Sequence, residues 1–452
     1  GIDGHFIKPG DLSWIRGASN PREIMDVGDV SYVRHDGGTE DDPVFSLRQI
    51  PGVQGGFMAM DVNNGRVIAM QGGFSYQHSV FNRTTQATRQ PGSSFKPFVY
   101  AAALDSGFTP ATILIDAPIE VDVGGGRVWR PQNASRQFYG PTPLRTGIER
   151  SRNLMTVRLA EEVGMRTVAA YAERFGVYDG MDPFLANALG SQETTLFRMV
   201  SAYSMFANGG ERVEPTLVDR VQDRWGTTVY RHDDRECVDC ATYELPVGEL
   251  PSIKTDRWQV IDPVTAYQLT SMMRGVVERG TASGTVNLGV PTAGKTGTTN
   301  DARDVWFVGF TSNIAAGCYI GYDLPEPLGS GASGGGMCGP VFQTFMTKAL
   351  EKYGAGRFAI PPGGRFIKID RFTGARLPDE ASGESVVAEY FREGEEPVFG
   401  ITFDGGFAMG ANLPMVTGGA VTLGGQSVVG EEAVETVPGQ TSAGEISSGG
   451  LY

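Results

Sequence analysis

The sequence predicts an α/β fold in which one β-sheet is assembled from distant segments and packs against a largely helical block. Two observations support this prediction. Strand-like runs at 55–71 are resumed only at 292–322, and the residues between them, about 94–280, have mainly helical patterns. A crevice between the sheet and the helical block is a natural place for a binding site.

Composition and charge restrict the classes of function. The 452 residues are 40% hydrophobic and 10% aromatic, as expected of a globular protein, and the formal net charge is −14. Nucleic-acid binding calls for basic patches, so this charge argues against such a partner. We find no apolar run of ~20 residues and expect no membrane segment in this chain. The first residues do not form a signal peptide, so we expect the chain to start inside a domain.

Short β-elements open the chain. The N-terminal segment contains strand-like runs at 11–16 and 29–34 and an acidic loop at 36–42, and it is too small to bury its own core. A hairpin follows, because the Asn-Asn-Gly turn at 63–65 joins two apolar runs. Both runs are apolar on both faces, so we expect the sheet to be covered on both sides.

A buried helix is predicted directly after residues 90–97. The run 98–105 is apolar nearly all round, which is typical of a core helix, and Gly107 ends it. Asp262 and Pro263 provide an N-cap and a first-turn proline for a later helix. The further helices are predicted at 153–163, 165–175, 194–207 and 264–278.

The four cysteines fall into two pairs. Cys237 and Cys240 form a C-x-x-C within a hairpin-like insertion at 213–255. A zinc site would need two further ligands nearby, and a thioredoxin-like site would need a βαβ context that is absent, so we favour a local disulfide. A disulfide implies an oxidising compartment. Cys318 and Cys338 stay unassigned, since buried free thiols are common.

Strands return in the last part of the chain. Three runs at 292–298, 304–310 and 314–322 predict an antiparallel meander, and a helix is predicted at 343–353. Short strands and turns follow. Beyond residue 410 the chain is rich in Gly, Val, Thr, Ser and Glu, which favours disorder.

A serine and a lysine stand at the start of the predicted core helix. Ser93 and Lys96 are three residues apart, which places them on one face of a helix and within mutual reach. A helix N-terminus favours negative charge, and desolvation favours the neutral, proton-accepting form of lysine. The pair therefore suits a nucleophile and its base, although Ser-x-x-Lys alone is a weak signal.

A Ser-x-Asn motif stands at the joint between two helical runs. Ser151 and Asn153 form the one such pair in the sequence. The simpler interpretation is a helix N-cap, because both residue types favour helix starts and caps far outnumber catalytic hydroxyls. The motif alone therefore favours a cap.

A third motif lies in the predicted strand at 292–298. Lys295 and the hydroxyls of Thr296 and Thr298 suit the binding of a carboxylate, and Gly297 leaves room for a ligand backbone to pair with the strand. The alternative is a polar edge strand that uses its lysine against aggregation.

Together and in this order, the three motifs are a strong signal. Ser-x-x-Lys, Ser-x-Asn and Lys-Thr-Gly resemble those of the penicilloyl-serine transferases, which are the penicillin-binding proteins and serine β-lactamases. The segments 89–98 and 294–310 narrow the resemblance to the transpeptidase domain of class A penicillin-binding proteins of the 1A type. The resemblance extends over about 50–350.

The resemblance implies an antiparallel five-stranded sheet flanked by helices, with a mostly helical subdomain. We expect four regions: a remnant of a small OB-like β-domain at 1–50, a D,D-transpeptidase domain at 51–357 with its helical subdomain at about 94–280, a short β-rich extension at 358–409, and a disordered tail at 410–452. The family's membrane anchor and glycosyltransferase domain are expected outside this sequence. The family is anchored on the periplasmic side of the bacterial inner membrane, which is the location implied here.

The resemblance also implies catalytic roles. Ser93 would attack the carbonyl between the two D-alanines of a peptidoglycan stem peptide, and Lys96 would take its proton. Ser151 would relay a proton to the leaving amine, with Lys295 tuning it. Asn153 would hydrogen-bond the substrate's backbone amide.

The resemblance assigns substrate binding to the third motif. Thr296 and Thr298, with Lys295, would hold the terminal carboxylate beside Gly297, and the N–H groups of Ser93 and Thr298 would form the oxyanion hole. An amine from a second stem peptide would close the crosslink. β-Lactam antibiotics would acylate the serine, and no metal or cofactor is needed.

Three alternatives stay open at this point. A serine β-lactamase shares the motifs but would be shorter and would need a base for fast deacylation, which we cannot identify. A D,D-carboxypeptidase differs only in using water as acceptor. A non-enzymatic β-lactam sensor or scaffold belongs to a different class, and the intact Lys96, Ser151 and Lys295 argue against it.

Overall fold

A computed structural model of the chain describes residues 14–15, 23–40, 43–242 and 252–397, and the backbone of short strands between 400 and 435. The α-helices in these residues are α1 Lys96–Asp105, α2 Leu144–Glu149, α3 Asn153–Val163, α4 Met165–Arg174, α5 Leu196–Ala207, α6 Pro263–Glu278 and α7 Gly334–Tyr353. Short 3-10 helices span Gly92–Phe95, Leu185–Leu189 and Asn300–Ala302. No helix in this part of the chain is both long enough and apolar enough to cross a membrane.

The strands are numbered in chain order. They are β1 Tyr32–Gly38, β2 Pro43–Arg48, β3 Gln54–Asp61, β4 Val67–Gln71, β5 Ile113–Asp116, β6 Val121–Asp122, β7 Val128–Trp129, β8 Gly140–Pro143, β9 Arg220–Gln222, β10 Thr228–Arg231, β11 Glu236–Val238, β12 Ser252–Lys254, β13 Ala293–Thr298, β14 Asp304–Phe310, β15 Ile314–Gly321, β16 Gly364–Asp370, β17 Val386–Arg392, β18 Gly400–Thr402, β19 Ala408–Gly410, β20 Met415–Thr417, β21 Ala420–Thr422, β22 Gln426–Val429 and β23 Glu432–Glu435.

The central sheet has five antiparallel strands in the order β13-β14-β15-β3-β4. The pairing of β3 with β15 places Ala59 opposite Ala316 and so joins the early hairpin to the late meander. This confirms the prediction of one sheet assembled from two distant parts of the chain. It also confirms the hairpin at 63–65, since β3 and β4 pair directly across that turn.

Both faces of the sheet are buried, as predicted. On β14, Trp306 and Val308 belong to a core shared with α1 and α5, whereas Val305 and Phe307 belong to a second core shared with α6 and α7. This alternation follows from the pleat, which turns successive side chains to opposite faces. The sheet therefore contributes to both cores, and α6 also contributes to both.

The helix at the centre of the first core is α1. Its residues from Lys96 to Leu104 are all buried, and Pro97 lies in its first turn. The ring of Phe98 packs at 5.4 Å from Phe175, 6.0 Å from Tyr203 and 5.6 Å from Phe206. The predicted core helix is confirmed, with its start two residues earlier than expected.

The predicted boundaries of the other early helices agree with the structure. Helix α3 has the predicted bounds, and α4 and α5 differ from prediction by one or two residues. Asp262 caps α6, because its side chain accepts hydrogen bonds from Val264 N at 2.9 Å and Thr265 N at 3.3 Å. Local capping chemistry therefore explains the start of α6.

The predicted start of α7 at residue 343 is wrong, since the helix begins at Gly334. Its first turns are glycine-rich and contain Pro340, a composition with poor helix propensity. Packing explains the exception: a Cβ on Gly334 would lie 2.0 Å from Trp306 O, and one on Gly339 would lie 2.6 Å from Thr285 Oγ1. The glycines allow α7 to lie against the sheet, and Ser333 caps it.

The N-terminal strands differ from prediction. Strand β1 spans Tyr32–Gly38, so it runs into the stretch expected to be a loop at 36–42 and pairs with β2. The strand predicted at 11–16 lies largely outside the described residues. Of the tail predicted to be disordered at 410–452, the structure describes only short strands, including β20 beside β5, and the rest lies outside the described residues.

The cysteine pairs lie in different surroundings. Cys237 and Cys240 are bonded to each other, in the insertion where β11 pairs with β12. Cys318 on β15 and Cys338 on α7 are buried free thiols in the second core.

The hairpin of β16 and β17 packs against α2 and α6. Helix α2 precedes the Ser-x-Asn motif, and α6 precedes the edge strand β13. Gln268 on α6 donates from Nε2 to Tyr390 O at 2.9 Å. Arg145 on α2 forms a buried ion pair with Glu389 on β17. The extension after α7 is thus joined to the helical block by buried polar contacts.

Candidate active site

The turn that carries Ser93 is held by a close crossing of three backbone segments. Gly92 has φ +53°, and a Cβ there would lie 3.0 Å from Thr298 O on β13. A Cβ on Gly190 would lie 2.2 Å from Gly92 O. These contacts leave no room for side chains, so the glycines fix the 3-10 helix Gly92–Phe95 against the end of the edge strand.

Ser93 and Ser94 have different surroundings. Ser94 is buried, and its hydroxyl donates to Pro91 O at 2.7 Å, so it stabilises the turn itself. Ser93 is only half-buried. Among the described residues the Ser93 hydroxyl makes no hydrogen bond to either motif lysine. Ser93 is therefore the serine of this turn that is available to a ligand.

Ser151 lies in a strained turn between α2 and α3. Its φ of +56° is unusual for a residue with a side chain and carries a cost in free energy. In this turn the Ser151 hydroxyl accepts hydrogen bonds from Lys295 Nζ at 2.8 Å and Lys96 Nζ at 3.3 Å. The strained backbone thus brings the hydroxyl between two lysines from different parts of the chain.

The N-cap interpretation of the second motif is wrong. Helix α3 has Arg152 as its cap residue, with no hydrogen bond from that side chain. Asn153 is the first residue of the helix, and its Oδ1 accepts a hydrogen bond from Lys96 Nζ at 2.7 Å. The motif's polar groups are directed to the lysine rather than to the helix end.

Both motif lysines are fully buried. Lys96 Nζ also donates to Ser151 O at 2.7 Å, and Lys295 Nζ donates to Thr296 O at 3.0 Å. Neither ammonium forms an ion pair with a carboxylate in the described part of the chain. Each cation is therefore surrounded chiefly by neutral oxygens and by the other cation.

Burial changes the proton affinity of these amines. Desolvation, with the nearby charge of Lys295, holds the pKa of Lys96 well below its ordinary value of 10.5. Desolvation also lowers the pKa of Lys295 to about 7. A lysine in this state exchanges protons near neutral pH, as a general base requires.

The third motif lies on β13, the edge strand of the sheet. The burial of Lys295 contradicts the alternative that it protects an exposed edge. Thr296 shares a hydrogen bond with Thr281 at 2.6 Å between hydroxyl oxygens, and the exposed Thr298 accepts from Gly334 N at 3.2 Å. Within β13 only Thr298 is exposed, so the motif reaches the protein surface at the end of the strand.

Gly297 is required by a neighbour within the protein. A Cβ at this position would lie 2.4 Å from Pro91 O and 3.1 Å from Ser94 Oγ. The sequence predicts room for a ligand backbone here, and the structure adds a second reason, which is the approach of the turn that carries Ser93. Any larger residue would push Ser93 away from β13.

Two buried residues next to the motifs were missed by the sequence analysis. Asn133 accepts at Oδ1 from Asn153 N at 2.8 Å, and it donates to Asp116 at 2.7 Å and 3.0 Å. No motif or periodicity marks either position, so no signal in a single sequence would have found them.

No cluster of His, Cys, Asp or Glu suited to a metal ion occurs within the described residues.

Comparison with known proteins gives the family. The sequence profile of the penicillin binding protein transpeptidase domain matches residues 55–347. Penicillin-binding protein 1A of Rickettsia typhi is 40% identical over 378 residues, which cover 82% of this chain and 47% of that protein. Penicillin-binding protein 1A of Pseudomonas aeruginosa is 33% identical over 435 residues, which cover 89% and 52%. The chain spans about half the length of these curated relatives.

The fold agrees with a solved structure. Penicillin-binding protein 1A from Haemophilus influenzae is similar with a TM-score of 0.73 and 30% sequence identity, over 86% of this chain and 59% of that chain. Sequence profile, relatives and fold agree, and the three motifs meet at one place between α1, α3 and the edge strand. The chain therefore belongs to the penicillin-binding protein transpeptidase family, within the class A proteins of the 1A type.

Proposed function

We propose that this chain is the catalytic unit of a serine D,D-transpeptidase that crosslinks peptidoglycan stem peptides. The observation that carries the proposal is the convergence of two fully buried lysines, Lys96 and Lys295, on the Ser151 hydroxyl. Burial lowers the pKa of both amines, which favours the neutral, proton-accepting form that a base requires. Ser93 lies one helical turn before Lys96 and is available as the nucleophile.

The first half-reaction forms an acyl-enzyme. The Ser93 oxygen attacks the carbonyl carbon between the two terminal D-alanines, and its proton passes to Lys96 Nζ. An ester bond forms as the bond to the nitrogen of the terminal D-Ala breaks. That nitrogen receives a proton through the Ser151 hydroxyl, which contacts both lysines. The N–H groups of Ser93 and Thr298 stabilise the negative oxygen of the tetrahedral intermediate.

Substrate binding uses the edge strand and Asn153. Lys295, Thr296 and Thr298 hold the terminal carboxylate through charge and hydroxyl donors. The side-chain amide of Asn153 has two N–H donors, of which Gln132 O takes one at 2.7 Å. The second is left for the backbone carbonyl of the stem peptide.

The second half-reaction transfers the acyl group. An amine from a second stem peptide attacks the ester carbonyl, a new amide bond forms, and the proton returns to the Ser93 oxygen. β-Lactams mimic the donor terminus and acylate the same serine. The Cys237–Cys240 disulfide supports an oxidising compartment, and we place the chain on the periplasmic side of the bacterial inner membrane.

Mass spectrometry of the intact chain after incubation with benzylpenicillin tests this proposal. We expect a long-lived covalent adduct on the parent chain and none on Ser93→Ala, because only the hydroxyl can form the ester. Ser94→Ala is the matched control, since that hydroxyl bonds within its own turn, and it should still be acylated.

Other outcomes favour the alternatives. Rapid antibiotic turnover without a lasting adduct would indicate a β-lactamase. Release of D-Ala from a pentapeptide without amide formation to an added amine would indicate a carboxypeptidase. Absence of both adduct and turnover would reject acyl transfer and favour a non-catalytic scaffold.

A further inference from the structure

A buried network of hydrogen bonds connects the end of strand β5 to the Ser-x-Asn motif. Asp116 ends β5 and is fully buried, and both of its carboxylate oxygens accept from Asn133 Nδ2, at 2.7 Å and 3.0 Å. Asn133, in the segment between β7 and β8, accepts at Oδ1 from Asn153 N at 2.8 Å. The network reaches Lys96 through the side chain of Asn153, which accepts a hydrogen bond from the lysine.

Asn133 serves as the cap of α3. Its Oδ1 accepts from the main-chain N–H groups of both Asn153 and Leu154, the latter at 3.3 Å. These are first-turn donors that have no partner within the helix. Because Arg152 supplies no cap, the position of the helix start depends on an amide from a distant loop.

The orientation of the Asn153 side chain depends on the same loop. Gln132 O accepts from Asn153 Nδ2 at 2.7 Å, which leaves Oδ1 directed to Lys96 Nζ at 2.7 Å. Two neighbouring residues thus hold the main chain and the side chain of Asn153. Asn133 itself is held by Asp116 and by Gln137 O, to which Nδ2 donates at 2.9 Å.

The charges around Lys96 are of both signs. Lys295 on β13 and Arg152 before α3 are cationic and lower its pKa, whereas Asp116 on β5 is anionic and raises it. Asp116 in turn is faced by Lys96, Arg152 and Arg158, and Arg152 Nε lies 3.8 Å from its Oδ2. Asp116 is therefore the negative member of a cluster that is otherwise cationic.

We infer that Asp116 and Asn133 are positioning residues for acyl transfer, with Asn133 fixing Asn153 against Lys96 and Asp116 holding Asn133 while opposing the cations around the lysine. The inference rests on the proposed function, because it concerns the base of that reaction. It assigns Asn133 a geometric effect and Asp116 an additional electrostatic one. The two effects predict different changes in the pH dependence.

The test measures the second-order rate of Ser93 acylation by a fluorescent penicillin from acid to alkaline pH, together with melting temperature. Asn133→Ala should lower the rate on the order of 10- to 100-fold at every pH, since small misplacements of catalytic groups have effects of this size. Asp116→Asn keeps an acceptor for Asn133 but removes the charge. It should move the rising limb of the profile to lower pH, because the pKa of Lys96 falls.

Asn208→Ala is the matched control. Asn208 also joins a helix end through four hydrogen bonds, at the C-terminus of α5, but it lies outside the motifs. We expect it to lower the melting temperature without changing the acylation rate of the folded protein.

Equal acylation rates in the parent, Asn133→Ala and Asn208→Ala chains would overturn the positioning role. An unmoved rising limb in Asp116→Asn would overturn the electrostatic role, which this nearly isosteric variant tests even if Asn133→Ala does not fold. A parent chain that is never acylated would instead reject the proposed function, and this inference with it.

Discussion

Two buried clusters in this protein surround their cations with different partners, which are neutral oxygens in one cluster and carboxylates in the other. In the motif cluster, Lys96 and Lys295 meet the neutral oxygens of Ser151 and Asn153. The docking cluster consists of Arg145, Glu149, Arg279 and Glu389, and each of its cations contacts a carboxylate. Arg145 Nη1 lies 3.1 Å from Glu149 Oε1, and Arg279 Nη2 lies 2.6 Å from the same oxygen.

The proton affinities follow the partners rather than the burial. Desolvation lowers the pKa of Lys96 and of Lys295, because neither finds a paired carboxylate. Desolvation also opposes the charge of Arg145, but the carboxylates of Glu389 and Glu149 outweigh it and raise its pKa. Burial with a counter-charge gives a fixed cation that joins elements, whereas burial without one gives a group that can exchange protons.

The largest effect on acylation is expected from a substitution of Lys96. Lys96→Met should reduce the rate of Ser93 acylation by at least about 10³-fold, because it removes the base. The melting temperature should stay the same or rise, since an apolar chain of similar length replaces an amine that is costly to bury. Stopped-flow acylation and calorimetry measure the two effects.

The exposed Lys348 on α7 supplies the control for that experiment. Lys348→Met should change neither quantity. A Lys96→Met chain that is still acylated at a rate near the parent's would show that another group takes the proton.

In the docking cluster we expect a substitution to lower stability and to leave acylation unchanged. Glu389→Gln removes one counter-charge from a fully buried Arg145 and should lower the free energy of unfolding by up to about 3–5 kcal/mol. Acylation by the fraction that remains folded should be unchanged. Urea unfolding at neutral pH, followed by acylation in the absence of urea, separates the two.

An exposed ion pair gives the scale for this loss. Glu120 and Arg130 are both largely solvent-accessible, so Glu120→Gln should lower the free energy of unfolding far less than Glu389→Gln does. If Glu120→Gln and Glu389→Gln had the same small effect, the docking cluster would not be the joint that we describe.

The smallest expected effect concerns the pH dependence of acylation, which the charge of Lys295 should control. Acylation by a carboxylate-bearing β-lactam should fall as pH rises through about 7, because Lys295 then loses the proton that pairs it with the ligand. Lys295→Arg stays charged and should move this falling limb to higher pH. The exposed Lys254→Arg should leave the profile unchanged. A parent profile that stays flat well above neutral pH would contradict the role of Lys295 in binding the carboxylate.

Sequence reasoning reached the parts of this molecule that depend on short-range chemistry. The hairpin turn at 63–65, the cap at Asp262 and the burial of both faces of the sheet each follow from residues that are close together in the chain. The three motifs were found because each occupies a few consecutive positions. Their meeting point followed from the resemblance rather than from any single motif.

The missed features depend on contacts between distant segments. Asp116 at the end of β5 holds Asn133, and Asn133 in turn contacts Asn153. Their burial is visible only after β5 and α3 have packed. The start of α7 depends on Trp306 and Thr285, whose backbone and side chains accept only glycine beside them. Propensity cannot predict such positions, because tertiary contacts decide them.

The docking cluster also bears on how this protein can be shortened. The family match ends at residue 347, yet Glu389 lies beyond that limit on β17. A version cut at the end of the match for inhibitor screening would keep Arg145 and Glu149 but lose the second carboxylate, which β17 supplies. Such a version should extend through Arg392, or carry an apolar replacement of Arg145, if it is to keep the stability of the longer chain.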